Sequence, residues 1–433
     1  MRLPLVVALI VPFGGTALAQ TPPGGSPLNL TLQDVLQRAR QYSQQVYSAD
    51  IAARLAHEDT VQAKAGLLPT VNGLSQYIYT QPNGTPSGVF VSNDGPHIYN
   101  DQLLVHGEIW NRERRAEYRR TMAAEAVAHA RADLAVRGLN VTVVQDYYGL
   151  VVAQRRIANA QQSLKETQDL VGITQKQEAG GEVAHADVVK AQIQLEQRLR
   201  DLQDAELATE KARIGLAVLI FPTFGQPYNV VDDLAAAPQL PAFADVQKLA
   251  ATNNPDLRVA QATVDQQTFA IASARAGFLP TLSVDYFFGL NGNRFAVHNA
   301  DGLNQLGSVV QAQLNVPLWT WGAQRSKVKQ AQLQLEQARN DLSLAQRTLL
   351  SEETSFYREA QSAGLQTASL KKSADLSAES LRLTLERYQA GEAAILEVVD
   401  AQSTLVQARN AYDDGLARYR LALANLQSLT GAF

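Results

Sequence analysis

Two acidic residues near the end of the chain, Glu397 and Asp400, have the spacing that best suits a chemical role. They lie within residues 388–402, which read YQAGEAAILEVVDAQ, and residues three apart share one face of a helix. Two carboxylates on one face could attract cations. Alternatively, they could simply be charged residues on a helix face that is exposed to water. The spacing alone leaves both interpretations open.

Motifs for catalysis or metal binding are missing from the sequence. It contains no H-E-x-x-H, G-x-S-x-G, P-loop or G-x-G-x-x-G. With 0 cysteines it also has no disulfide, no thiolate metal site and no lipidated cysteine. His185 and Asp187 form an H-x-D that we interpret as part of a surface turn. We therefore predict no enzyme, no metal and no cofactor. The other histidines are scattered along the chain: His57, His97, His106, His129 and His298.

The segment with the acidic pair has a counterpart earlier in the chain. Residues 178–192 read EAGGEVAHADVVKAQ, so both segments have a glycine, a spacer, an acidic residue and Val-Val-x-Ala-Gln. Similarly, residues 62–77 (QAKAGLLPTVNGLSQY) match residues 273–288 (SARAGFLPTLSVDYFF). Because separate segments match at nearly the same separation, we interpret the chain as a tandem duplication.

Each half of the chain has the same predicted order of elements. A helix, over 31–66 or 242–277, ends at Ala-Gly-x-Leu-Pro. Two strands with alternating apolar and polar residues follow, most clearly over 282–290 and 310–318. Long helices come next, since residues 110–179 contain no proline and would form a helix of about 105 Å. The repeated glycine motif then lies where one long helix turns into the next.

The first twenty residues, MRLPLVVALIVPFGGTALAQ, differ from the rest of the chain. They have a basic start, an apolar run and Ala-Leu-Ala, the pattern of a secretory signal peptide over 1–19 that is cleaved near Ala19-Gln20. The formal net charge of −4 provides no basic field for nucleic acid. We predict an exported protein that does not bind nucleic acid.

The four predicted strands need a partner for their apolar faces and edges. Spanning barrels begin at about eight strands, and open sheet edges are not tolerated in lipid. Insertion into a membrane would therefore require several copies of the chain. The alternative is a soluble exported coiled-coil scaffold, capped by two hairpins and without a pore. The signal peptide and the aromatic-rich apolar faces favour the membrane.

The whole pattern resembles the TolC family of outer-membrane efflux proteins. The resemblance rests on the duplicated plan, the paired AGxLPT ends, the NVPLWTWG turn at 315–322 and the two glycine-containing helix hairpins. It implies a mainly α fold with a membrane β-barrel. Three chains would share one twelve-stranded barrel in the outer membrane and one periplasmic α-helical barrel. The implied domains are a first repeat over 31–230, a linker over 231–241 and a second repeat over 242–433.

The resemblance also implies a function. The chain would be the passive exit duct of a tripartite efflux system, in the outer membrane of a Gram-negative-type bacterium. Its partners would be two further copies, a periplasmic adaptor (membrane fusion) protein, an inner-membrane pump and the lipid of the outer membrane. Gly181 and Gly391 would be the helix tips on which the adaptor docks. The alternatives are a type I protein secretion duct, the pore-free scaffold and a periplasmic module that binds sugars or lipids.

Four residues would form the periplasmic gate, again by resemblance. Glu397 and Asp400 occupy the positions of pore-facing carboxylates, so three chains would place six carboxylates around one constriction. Asp187 and Tyr388 occupy the positions of a hydrogen-bonded latch between the hairpins. Ala393 stands where other members of the family have an arginine, which implies that the latch is weaker or differently built.

Overall fold

The structure, a computed structural model, describes residues 28–79, 97–223, 226–236, 238–298, 302 and 304–431. Within these ranges the chain forms eight α-helices and six β-strands. The predicted signal peptide lies outside them, as does most of the polar segment 80–97 that joins the first two predicted membrane strands.

The two halves of the chain have the same order of elements, which confirms the duplication. The first half has a short strand, two short helices, two long strands and two long helices: β1 (Leu28–Leu30), α1 (Leu32–Tyr42), α2 (Gln44–Ala65), β2 (Thr70–Tyr79), β3 (His97–Trp110), α3 (Arg112–Ala179) and α4 (His185–Ile220). The second half repeats this order: β4 (Tyr228–Val230), α5 (Phe243–Asn253), α6 (Pro255–Ala276), β5 (Thr281–Gly292), β6 (Leu306–Asn315), α7 (Ala323–Gln389) and α8 (Ile395–Thr430).

Each of the two predicted first helices is broken into two. Ser43 separates α1 from α2, and its side-chain oxygen accepts a hydrogen bond from the Val46 N–H at 3.4 Å. Asn254 separates α5 from α6 in the same way, accepting from the Leu257 N–H at 3.0 Å. Short polar side chains of this kind cap a new helix, and Pro255 fits the first helical position. The prediction of one continuous helix over 31–66 and over 242–277 is therefore wrong.

The four long strands form one antiparallel sheet in the order β2-β3-β5-β6. One face is apolar, with pairs such as Val105–Tyr286 and Tyr286–Val310. The other face is mainly polar and contains an ion pair between His106 Nδ1 and Asp285 Oδ1 at 2.6 Å. Phe287, which pairs with an apolar residue on each neighbouring strand, is its exception. Within one chain, β2 and β6 are edge strands with a single neighbour each. The alternation predicted for 282–290 is confirmed, whereas the second strand ends at Asn315, before Pro317.

The long helices form two hairpins, α3 with α4 and α7 with α8. With 68 residues in α3 and 67 in α7, each longer helix extends about 100 Å at 1.5 Å per residue. The hairpins pack against each other through α3 and α8. Among the helices that the structure describes, none combines the length and the apolar character needed to cross a membrane.

The largest apolar core lies midway along these helices, where the segment between the two repeats crosses them. There β1 pairs with β4 in parallel, and Tyr147, Leu150 and Leu216 are almost fully buried. The Tyr147 hydroxyl donates to the Val231 carbonyl at 2.6 Å. This bond ties the crossing segment to α3.

An ion-pair network surrounds the same level of the helices. Arg155 of α3 contacts Asp232 of the crossing segment at 2.5 Å and Asp413 of α8 at 2.8 Å. Burial raises the pKa of Asp232, but the hydrogen bonds from Arg155 and from the Leu234 N–H more than offset this, so the pKa lies below its ordinary value. One arginine thus connects a helix of each hairpin with the segment between the repeats.

Candidate gate and docking site at the helix tips

The two hairpins turn in the same way at their far ends. Gly181 has φ +77° and Gly391 has φ +78°, a left-handed conformation that glycine adopts without penalty. In each turn the glycine N–H donates to the carbonyl three residues earlier, Glu178 at 2.9 Å and Tyr388 at 3.0 Å. Gly180 is in the ordinary helical region with φ −78°. Gly181 is therefore the counterpart of Gly391.

A polar contact closes each turn. In the first hairpin His185 Nδ1 lies 2.7 Å from Glu178 Oε1. In the second, Arg387 Nη1 lies 3.3 Å from Glu397 Oε2, and Arg387 Nη2 donates to the Glu392 carbonyl at 3.1 Å. Sequence reasoning missed Arg387. The available signal was its position one residue before Tyr388, on the helix that faces Glu397 across the turn.

Glu397 and Asp400 have different surroundings. Besides its ion pair with Arg387, Glu397 accepts a hydrogen bond from the Ala394 N–H at 3.2 Å, at the start of α8. Asp400 is exposed and forms no hydrogen bond or ion pair within the part of the chain that the structure describes. Glu397 thus has a basic partner and a backbone donor, whereas Asp400 has neither.

Both carboxylates lie along one groove between α7 and α8. The groove has a volume of about 640 Å³ and a wall rich in serine and threonine, and Lys372 is its one basic residue among those that the structure describes. This geometry agrees with the predicted common face of Glu397 and Asp400. The groove is polar and carries net negative charge, so it can attract cations.

Asp187 and Tyr388 are not joined by a hydrogen bond. Tyr388 is 2% exposed, and its hydroxyl has no hydrogen-bond partner among the described residues. Burial raises the pKa of Tyr388, and the negative charge of Asp187 raises it further. Asp187 instead lies 3.7 Å from Lys190 in its own helix. The hydrogen bond predicted between these two residues is therefore not formed in the structure.

An apolar cluster holds the two tips together beneath these polar groups. It contains residues of all four long helices, including Leu170, Ala191, Leu381 and Val398. Ala393 packs against this cluster, so the position at which the resemblance implies an arginine is here part of the packing. Among the described residues, no group of three metal-ligating side chains is found.

The architecture suits a subunit of a membrane duct. Two helical hairpins, whose longer helices extend about 100 Å, continue a four-stranded sheet with one apolar and one mainly polar face. The sequence model of the outer membrane efflux protein family matches this chain twice, over residues 35–220 in the first half and 246–432 in the second. The chain belongs to this family.

Relatives and solved structures agree with this assignment. The alkaline protease secretion protein AprF of Pseudomonas aeruginosa is 24% identical over 382 residues, which cover 85% of this chain and 77% of AprF. The outer membrane protein TolC of Vibrio cholerae is 24% identical over 408 residues, or 92% of this chain and 90% of TolC. The crystal structure of the Campylobacter jejuni CmeC outer membrane channel superimposes with a TM-score of 0.80 at 17% identity, covering 98% of this chain and 94% of CmeC.

These findings confirm the predicted family, the mainly α, internally duplicated fold class and the function as an outer-membrane exit duct. Family membership also places the protein in the outer membrane. The domain boundaries, the roles of the tip residues and the absence of enzymatic activity stay predictions.

Proposed function

We propose that three copies of this chain form the exit duct of a tripartite efflux system. The supporting observation is the sheet, whose strands of 10 to 14 residues are long enough to span a bilayer. Its apolar face suits lipid, but β2 and β6 leave unpaired backbone groups that lipid does not tolerate. Three sheets joined edge to edge would close a barrel of twelve strands above a helical tunnel.

The helix tips form the periplasmic entrance in this proposal. Three copies of the groove between α7 and α8 would surround one opening, with Asp400 as the main source of negative charge and Glu397 held by Arg387. Rings of carboxylates select cations over anions. Closure of the tips would bring the Tyr388 hydroxyl to the Asp187 carboxylate. The hydrogen bond formed there would remove the free-energy cost of a buried hydroxyl without a partner.

The partners in this proposal are a periplasmic adaptor protein, an inner-membrane pump and the outer-membrane lipid. Gly181 and Gly391 are the docking points. Apart from the adjacent residues, no described part of the chain lies within 4 Å of the place where a Cβ would be at either glycine. The adaptor can therefore approach the backbone of both turns. The pump supplies the energy, and this chain supplies the conduit.

A second candidate is the exit duct of a type I protein secretion system. It is supported by the similarity to AprF, whose name describes secretion of an alkaline protease. Both candidates use the same trimeric duct and differ in the pump and in the exported molecule.

The oligomeric state tests the shared part of both candidates. We expect the mature protein to require detergent for extraction from membranes and to have three times the mass of one chain, measured by light scattering with correction for bound detergent. Extraction without detergent as a monomer would contradict the proposal and favour the soluble coiled-coil scaffold.

A further inference from the structure

A basic cleft lies between α3 and α6, directly below the sheet. Arg112, Arg115 and Arg119 of α3 line one side, and Arg275 and Leu279 line the other side at the end of α6. The cleft has a volume of about 540 Å³, and its remaining lining consists of alanines. No acidic side chain is among the described residues that line it.

The four arginines are exposed and form no ion pair within the described ranges. Their neighbours on α3 do: Arg114 pairs with Glu108 at 2.8 Å. Arg120 likewise pairs with Glu117 at 2.5 Å. Glu108 and Glu117 are thus paired outside the cleft, and Glu113, in the first turn of α3, does not line it. The four guanidinium groups of the cleft therefore have no carboxylate within ion-pair distance in the described chain. Such a concentration of positive charge attracts anions.

The tryptophans show where the membrane surface lies. The chain has 3 tryptophans, and all of them are at the junction of strands and helices. Trp110 ends β3 and is 46% exposed, while Trp319 and Trp321 follow β6 and are 74% and 89% exposed. Because tryptophan is enriched at the level of lipid headgroups, this junction marks the periplasmic surface of the bilayer.

The cleft begins at this level. Arg112 follows Trp110 in the chain, and its guanidinium lies 5.2 Å from the centre of the Trp110 ring. Seven residues separate Arg112 from Arg119, which corresponds to about 10 Å along the helix. A headgroup layer is about 5 to 8 Å thick on each side of a bilayer. The upper part of the cleft is therefore within the headgroup layer.

One end of the cleft adjoins the apolar face of the sheet, the face that suits lipid. Trp110 pairs with Leu282, which belongs to the apolar face. The guanidinium of Arg112 lies over the Trp110 ring and therefore on the same side. The helices that form the cleft continue the two central strands, β3 and β5. It therefore lies away from the edges at which neighbouring copies would meet.

We propose that this cleft binds the phosphate of an anionic phospholipid headgroup in the periplasmic leaflet of the outer membrane. Guanidinium groups bind phosphate oxygens through paired hydrogen bonds, and the small alanine side chains leave room for a headgroup between them. The site rests on the proposed function, because only insertion of the sheet brings the cleft to lipid. It would fix the height of the duct in the membrane.

Lipid binding by the full-length, detergent-solubilised protein tests this site. Native mass spectrometry would count the molecules retained per chain from phosphatidylglycerol, with the zwitterionic phosphatidylcholine as comparison and inorganic phosphate as competitor. The wild type should retain phosphatidylglycerol in preference to phosphatidylcholine, and excess phosphate should not displace it. The quadruple variant should bind phosphatidylglycerol about tenfold or more weakly; its substitutions are R112Q, R115Q, R119Q and R275Q.

Two further variants separate the site from general charge and folding effects. The double variant R115Q/R275Q removes one arginine from each side of the cleft and should weaken binding by about threefold or more. The matched control removes four exposed arginines elsewhere on the helices and should bind like the wild type; its substitutions are R131Q, R200Q, R347Q and R358Q.

Three results would overturn the site. The first is equal retention of both lipids. The second is displacement of the lipid by inorganic phosphate, which would assign the cleft to a soluble anion, and the third is an equal loss of lipid binding in the cleft and control variants. Binding is scored per chain whatever the oligomeric state. A monomeric wild type would therefore count against the proposed duct, whereas a trimer without lipid preference would count against the cleft alone.

Discussion

Replacing Asp400 with asparagine should lower the ratio of cation to anion permeability of the reconstituted protein by about threefold or more. The reason is that Asp400 is exposed and forms no ion pair in the described chain. In the proposed trimer, three copies around one opening would therefore create a negative field. The ratio follows from the reversal potential of the channel under a gradient of potassium chloride.

Two neighbouring substitutions act as controls for this effect. Glu397→Gln should change the ratio much less, since the Glu397 carboxylate already pairs with Arg387 at 3.3 Å. Arg387→Gln should raise the ratio by freeing that carboxylate. Equal effects of Glu397→Gln and Asp400→Asn, or no effect of Asp400→Asn, would contradict the assignment and leave both residues as hydrated positions on a helix surface.

Replacing Tyr147 with alanine should reduce the free energy of unfolding by about 3 to 5 kcal/mol, as for other large core residues. Tyr147 is 1% exposed and holds the segment between the repeats through its bond to the Val231 carbonyl at 2.6 Å. Burial raises the pKa of Tyr147 to about 12, so the hydroxyl remains a neutral donor at physiological pH. Urea unfolding followed by circular dichroism measures the loss.

Two further tyrosine variants separate the contribution of the hydrogen bond from that of the buried ring and provide an exposed control. Tyr147→Phe keeps the ring and removes only the hydrogen bond, which should cost about 1 kcal/mol. Tyr47→Ala removes a side chain that is 65% exposed, and its effect should stay within about 0.5 kcal/mol. If Tyr147→Ala were no more destabilising than Tyr47→Ala, the middle of the helices would not be the main core.

Much of the fold follows from local sequence patterns. The strand alternation around Tyr286 and the long helices without proline depend on periodicity, which a single sequence displays. The tip turns depend on glycine at a left-handed position, and the repeat predicts them twice. Of the two helix breaks, the one at Asn254 could be predicted from the sequence, since Asn254-Pro255 is a strong start signal for a helix. Ser43 gives a much weaker signal for a break, because serine also occurs in the interior of polar helices.

The details of the sites depend on contacts between distant parts of the chain. The pairing of Arg387 with Glu397 requires the geometry of the turn, and it makes the two predicted gate carboxylates unequal. The basic cleft requires α3 to pack against α6, which brings Arg275 beside Arg115 from the other half of the chain. Helix periodicity places each arginine on a face of its own helix but does not predict which helix that face meets.

Single-channel recording of the detergent-purified protein in a planar lipid bilayer shows whether this chain forms a duct. We expect discrete, cation-selective openings whose selectivity decreases in Asp400→Asn. A folded, detergent-extracted sample that produces no conductance, before or after substitution at the tips, would contradict the proposed duct.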